Sequence, residues 1–447
     1  MSADASLPDV HGGLVDALPT TAELDEGRLT ALGGVSIDTL AERFGTPLWL
    51  LDHATLVGRM RAYRDAFTDA SVVYAAKALC IRGVLELVDD EGLYLDCASG
   101  GELATAEAAG FPMQRVVLHG NNKSLQELRD AARLGVGRVV VDSFAEFRRL
   151  EQVADETGHT FDVQLRVTPG VDAHTHDFVA TGHDDSKFGF TLSRGLAHQA
   201  AERAVDSNAV VLRGAHCHVG SQVFGMDAFT AAAEVMVGFL ADVRTQHGQV
   251  LEELNLGGGL GVVERPSDDP PALEDYAGAV RRAVADAADR HGLPAPHLLV
   301  EPGRSVVGPA GVTVYRVGTI KEIPSLRTYV AVDGGMSDNP RYALYGAMHQ
   351  FVPAGSRPVE GELRPVTVVG KHCESGDVLG EGVPLPSGLG EDDLLAAAGT
   401  GAYHHSMASN YNRLGRPAVV LVGDGRATVL SRRETPEDLL AREASLR

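Results

Sequence analysis

The sequence predicts a (β/α)8 barrel joined to a second, all-β domain, and three observations lead there. Over about 250 residues, short β-branched runs alternate with longer Ala/Leu/Glu/Arg stretches of helical period. Polar residues end nearly every one of those runs. Beyond Gly303 the helical stretches thin out and β runs succeed one another with little between them.

In chain order, residues 1–30 are acidic and mixed and read as a loose, disordered arm. Residues 48–310 are assigned to the barrel, and 31–47 with 311–447 to the β domain, to which the early segment "PLWLLD" can also supply a strand. The barrel strands are "SVVYAAK" from 71, "LYLDCAS" from 93, "VVLHG" from 116, "RVVVDS" from 138, "DVQLRVTPG" from 162, "RGAHCHVG" from 213, "ELNLGGG" from 253 and "HLLVEPG" from 297. Helices such as "SGGELATAEAAG" and "SLQELRDAARLG" follow them. An open, doubly wound sheet is the alternative, but no GxGxxG follows the first strand. The β domain shows "GVTVYRVGTI", "RTYVAVDG", "RPVTVVGKHC" and "AVVLVGDGRATVLSRR", the last with an Asp-Gly hairpin turn.

The chain has 447 residues, 44% of them apolar, and 39 basic against 61 acidic residues give a net charge of −22. That balance argues against nucleic acid and against anionic membrane surfaces. Negatively charged ligands must then be held by local arginines, glycine loops or helix ends. Cys80, Cys97, Cys217 and Cys373 show no CxxC pairing, and no secretory leader or apolar run of transmembrane length is seen, so a reduced, cytoplasmic protein is expected.

Strand ends ring the active site of such a barrel, and chemistry collects there. Lys77 ends the first strand, Asp96–Ser99 the second and His119 the third. Arg166 lies on the fifth, His216 and His218 end the sixth, Gly257–Gly261 the seventh, and Glu301–Arg304 the eighth. A structural lysine would lay its stem over apolar surface and keep its head wet. A desolvated amine at a barrel rim instead becomes a nucleophile toward carbonyls. The glycines of "NLGGGLG" suit a phosphate or merely a tight turn; "EPGRS" could hold an internal Glu–Arg salt bridge. "HCHVGS" places two imidazoles two apart, a pair that zinc would use, but no third ligand has a telling spacing and no metal is expected. His174, His176 and His183 read as solvated or lid residues. Lysine, glycine loop, flat imidazole and strand-end carboxylate together suggest one cofactor, pyridoxal phosphate, with the lysine as its Schiff base.

The chain resembles the fold-type III PLP-dependent decarboxylases, from about Gly45 to about Val422. The matching stretches are "YAAKA", "DCASGGEL", "HGNNKS", "HCHVGSQ", "NLGGGLG", "EPGRS", "VDGGMSDNPRYALYGA", "VGKHCESGDVL" and "GTGAYHHSMASNYN". "GMSDNPR" with "LYGA", and "CESGD", favour the branch acting on diaminopimelate over those acting on ornithine or arginine. The resemblance implies that Lys77 carries the cofactor and His218 stacks on its ring. Ser221, Gly257, Gly258 and Gly259 would contact the phosphate, within a cofactor site that also takes in Glu301, Pro302, Gly303 and Arg304. Glu301 would pair with the pyridine nitrogen, and Tyr403 would close over cofactor and substrate. Arg304, Arg341, Tyr345 and Glu374 would hold the distal end of the substrate. Cys373 would donate a proton to Cα, and Cys373 and Glu374 would arrive from the partner subunit of a homodimer. The implied reaction is meso-2,6-diaminopimelate to L-lysine and CO2, the last step of lysine biosynthesis. A PLP racemase on the same fold, with arginine opposite the pyridine nitrogen, and a non-catalytic relative that has lost the cofactor are the rivals. Glu301 speaks against the first, and Lys77 with Cys373 against the second. The role of His404 and His405 is left open.

Overall fold

The computed structural model describes residues 17–171 and 186–446, so His174, His176 and His183 lie outside the described residues. The chain divides into two compact units. One comprises Met60–Gly261 and Pro270–Gly303; the other takes the chain up to Arg59, the excursion Val262–Asp269, and everything from Arg304 onward.

The first unit is a closed barrel. Its strands are Ala70–Ala75, Tyr94–Cys97, Val116–Leu118, Arg138–Val141, Phe161–Thr168, Val210–His216, Glu253–Asn255 and His297–Val300. Each pairs in parallel with the next, and the eighth closes on the first with Val300 opposite Val72. All eight overlap the predicted runs, the sixth starting three residues earlier, at Val210. A two-residue strand, Phe190–Thr191, adds beside the fifth. Parallel strands covered on both faces should read as near-continuous apolar runs, and Val72–Ala75 are indeed all buried. Helix Leu125–Leu134 starts with a capping box, in which Ser124 accepts from Glu127 N and Glu127 accepts from Ser124 N. It ends at Gly135, whose left-handed φ of 68° lets its N–H reach back to Ala131. Helix Gly100–Ala108 is capped by Ser99, whose side chain accepts from Glu102 N. Such caps set the loops at the strand ends.

The second unit is a twelve-stranded mixed sheet. "PLWLLD" does join it: Leu48–Asp52 lies between Gly311–Ile323, to which it is antiparallel, and Ala418–Gly423, to which it is parallel. The hairpin Ala418–Gly423/Arg426–Ser431 turns on Asp424 and Gly425, both at positive φ, as a primed two-residue turn requires. The compact units therefore break at Arg59 and Gly303 rather than at 48 and 310. The acidic arm also needs correcting, because from Glu23 it is sheet. Glu23–Asp25 and Arg28–Leu32 form a hairpin across Glu26–Gly27, with Leu29 and Leu32 in the core and Arg28 buried against Asp25 at 2.5 Å. Among the described residues of the arm, Glu26 lies in the turn and Asp25 is the counter-ion of this hairpin.

Candidate active site

Glu301 follows the eighth barrel strand and is buried with three donors on its carboxylate. His119 Nε2 and Asn255 Nδ2 reach Oε1 at 2.8 and 2.7 Å, and His216 Nε2 reaches Oε2 at 3.2 Å. Burial alone would raise its pKa; His119 and His216 outweigh it and hold the carboxyl well below the ordinary range. His119 is itself opposed by burial, yet Asp96 and Glu301 raise its pKa. Burial pushes His216 down to about 4 and raises Asp96, whose Oδ1 has no hydrogen-bond partner. Glu301 is thus an anion inside the barrel. Arg304, the candidate internal partner, pairs with Glu264 at 2.7 Å. Glu301, His119 and His216 offer ligand atoms within 4.8 Å of one another, but the imidazole nitrogens already donate to the carboxylate. The imidazole that meets His216 is His119, with ring centroids 4.8 Å apart.

Asn255, ending the seventh strand, links this carboxylate to the glycine turn, because its Oδ1 accepts from Gly257 N at 2.9 Å. The turn has no room for side chains. A Cβ on Gly257 would sit 2.6 Å from Cys217 O, one on Gly258 2.1 Å from Glu301 O, and one on Gly259 2.5 Å from Gly220 O. Gly257 and Gly259 also hold φ of 65° and 120°. Among the described residues the N–H groups of Gly258 and Gly259 meet no backbone carbonyl. These are the features of an anion cradle. Ser221 is exposed just past the sixth strand, in the "HVGS" segment that packs on this turn. His218 is half-buried and neutral, its pKa pushed down to about 3 by burial and by Lys77. Pro302 O accepts from Ala75 N at 3.1 Å, and Gly303 stands where a Cβ would meet the Cβ of Ala75 at 3.0 Å. Lys77 is exposed, which corrects the expectation of an amine kept dry. It lies beyond the strand, in the single 3-10 turn Ala76–Ala78 between two buried alanines, and its charge acts on His218 and on buried Asp96.

In the sheet unit, Arg304 Nη1 and Arg341 Nη2 converge on one oxygen, Oε1 of Glu264, at 2.7 and 3.3 Å. The Tyr403 ring lies 4.8 Å from the Arg304 guanidinium and 5.8 Å from that of Arg341. Tyr403 has a φ of 63°, an uncommon backbone for a bulky residue and one that concentrates at functional sites. Tyr345 lies 6.0 Å from Arg341 but is 66% exposed. Cys373 and Glu374 sit on an exposed loop, fastened by Cys373 N to Asn412 Oδ1 at 2.9 Å and by Tyr411 OH to Glu374 Oε2 at 3.3 Å. His404 is buried, its Nε2 3.1 Å from His349 Nε2, and His405 stands edge-on to Trp49. The sequence does not single out Asn255 or Glu264; the signals are a polar residue ending an apolar strand for the first and a charge in the loop after the glycine run for the second.

The barrel residues fit a phosphorylated pyridine aldehyde: an anion cradle, a buried carboxylate and a lysine at consecutive barrel edges. Residues 53–308 match the model of the pyridoxal-dependent decarboxylase pyridoxal-binding domain. A diaminopimelate decarboxylase of Actinosynnema pretiosum is 51% identical over 427 residues, covering 95% of this chain and 94% of its own. One of Bacillus subtilis is 47% identical over 425 residues, covering 94% and 96%. The crystal structure of diaminopimelate decarboxylase from M. jannaschii superposes with a TM-score of 0.89 at 33% identity, over 95% of this chain and 98% of that one. The barrel, the matched domain and these relatives agree: the chain belongs to the pyridoxal-phosphate-dependent decarboxylases, within the diaminopimelate decarboxylase family.

Proposed function

We propose that the chain converts meso-2,6-diaminopimelate to L-lysine and CO2 with the residue roles that follow. The observation that carries this reading is the anionic Glu301, held by His119, His216 and Asn255 where a racemase would need a guanidinium. Pyridoxal phosphate, when bound, supplies a protonated ring that accepts the electrons released as a carboxyl group departs. Lys77 provides the amine that holds the cofactor, and its exposure leaves desolvation to whatever binds over it. Glu301 keeps a proton at the ring nitrogen. His218, neutral, lies against the ring without competing for that proton. Ser221, Gly257, Gly258 and Gly259 bind the phosphate; Pro302 and Gly303 shape the wall beside the first strand.

Arg304 and Arg341 bind the carboxylate at the unreacting end of the substrate, as guanidinium forks do, with Tyr345 and Glu374 beside them and Tyr403 closing the site. Cys373 delivers a proton to the carbon that has lost CO2, so one C–C bond breaks and one C–H bond forms. Cys373, Glu374, Leu344 and Tyr345 are all exposed, which supports a homodimer whose sites exchange the Cys373 loop. Among the described residues no helix is long and apolar enough to cross a membrane, and the four free cysteines support a reducing, cytoplasmic setting. The test is CO2 release assayed in parallel on meso-diaminopimelate, ornithine and arginine. Release from the first alone is expected; racemisation without CO2, or preference for ornithine, would contradict the reading.

A further inference from the structure

The interior of a (β/α)8 barrel is ordinarily filled by bulky branched side chains. Here a file of polar groups leads through it, away from the active-site carboxylate. Asn255 Nδ2 donates to Glu301 Oε1 at 2.7 Å and to Gln164 Oε1 at 3.3 Å. Gln164 Nε2 donates in turn to Glu253 Oε2 at 2.8 Å. Arg138, on the fourth strand, reaches Glu253, on the seventh, through Nε at 2.9 Å and Nη2 at 2.5 Å. Its Nη1 meets Asp162 Oδ2 at 3.2 Å, and Arg213 Nε meets Asp162 Oδ1 at 2.8 Å. Glu253 and Asn255 stand two apart on one strand and so share a face. Gln164 and Asn255 are completely buried, whereas Arg138, Asp162 and Arg213 are partly exposed. The file therefore runs from partly solvated charges at one end to Glu301 at the other.

Each amide in the file can be turned only one way. Burial alone would raise the Glu253 pKa, but Arg138 and Gln164 outweigh it and hold the carboxyl below the ordinary range. An ionised carboxylate has no hydrogen to give, so Glu253 must receive Gln164 Nε2, which turns Gln164 Oε1 toward Asn255. Asn255 then spends both N–H groups, one of them on Glu301, and its Oδ1 accepts from Gly257 N. We propose that Gln164 is a positioning residue for the reaction: fixed by the Arg138–Glu253 pair, it fixes the Asn255 amide that serves both Glu301 and the glycine turn. This rests on the reading that Glu301 holds the proton at the cofactor's ring nitrogen. Without Gln164, one Asn255 N–H is buried with no acceptor. The amide then shifts to find one, at the expense of Glu301 or Gly257.

The test is a double-mutant cycle on the holoenzyme, read as kcat for meso-diaminopimelate. Gln164→Met keeps an unbranched side chain and removes both polar ends. It should lower kcat about tenfold, the scale of one hydrogen bond, with KM and cofactor absorbance kept. Asn255→Ala should lower kcat further, and adding Gln164→Met to it should cost nothing more, because Gln164 acts only through that amide. A merely structural Gln164 would lower the unfolding midpoint in both backgrounds and leave kcat alone. Unchanged kcat in Gln164→Met, or the same loss repeated in the Asn255→Ala background, overturns the proposal. If Gln164→Met does not fold, Glu253→Leu takes its place in the cycle with the same expected outcomes, since it removes the anion that orients Gln164. Glu301→Gln separates the two levels. Wild-type kcat there means the ring-nitrogen reading has failed; a loss there with none in Gln164→Met sinks the role of Gln164 alone.

Discussion

Glu301 concentrates the electrostatics of the barrel: three hydrogen bonds from three different strands keep one carboxylate charged where burial alone would neutralise it. Replacing it by glutamine keeps the shape and removes the charge, so Glu301→Gln should lower kcat by roughly two orders of magnitude, the usual scale for one preorganised electrostatic contact. Cofactor absorbance should persist; wild-type kcat would show that the ring nitrogen does not depend on this anion. The sequence made Glu301 conspicuous because it ends a strand beside Pro302 and Gly303. Asn255 was hidden, since an asparagine before a glycine run reads as turn chemistry, whereas its side chain ties Gly257 to Glu301. The exposure of Lys77 was not legible: the strand pattern continues through Ala75, and nothing in "AAKA" announces the 3-10 turn that carries the lysine.

Among elements, the glycine turn after the seventh strand has the least tolerance. A Cβ on Gly258 would lie 2.1 Å from backbone Glu301 O, which cannot yield as a side chain could. Gly258→Ala should destabilise the protein by about 1–3 kcal/mol and weaken cofactor retention, read by thermal unfolding and by absorbance after dialysis. Unchanged midpoint and retention would show that the turn does not pack as described. Barrel strands were legible because parallel strands leave apolar runs bounded by polar ends. Several sheet-unit strands were not, Val378–Pro386 among them. Leu394–Ala398, "LLAAA", has helical composition, yet all five residues are buried between two neighbouring strands, so tertiary pairing overrides propensity. Phe351–Ala354 contains Pro353, which argues against a strand; it is tolerated because pairing on the side away from Leu394–Ala398 is confined to Ala354.

At the scale of the molecule, buried imidazoles govern the response to acid. His216 and His349 are pushed to about 4 and His218 to about 3, burial being the first cause in each. The unfolded chain takes up protons near 6.5, before these folded groups do. Their contribution is therefore complete above about 6.5 and declines as pH falls toward the folded values, at about 1.4 kcal/mol per pH unit for each imidazole. His404 and His405 are lowered in the same way, whereas His119 and buried Asp338, both raised, act with the opposite sign but are two against five. Calorimetry should show the unfolding midpoint falling steadily from pH 7 to pH 5; a flat profile would mean these histidines are solvated. The proposed homodimer with exchanged loops makes a second demand. Lys77→Ala and Cys373→Ala proteins, each impaired alone, should recover about a quarter of wild-type activity after co-refolding, because half the dimers are hybrid and each hybrid has one intact site. No recovery would place both residues in sites built from one chain.

The most direct measurement concerns Lys77. Borohydride reduction of the holoenzyme, followed by peptide mass spectrometry, should place a cofactor-derived mass on the peptide carrying Lys77 and leave Lys77→Ala unlabelled. Label on a different lysine, or none on the active enzyme, would contradict the single-amine anchor.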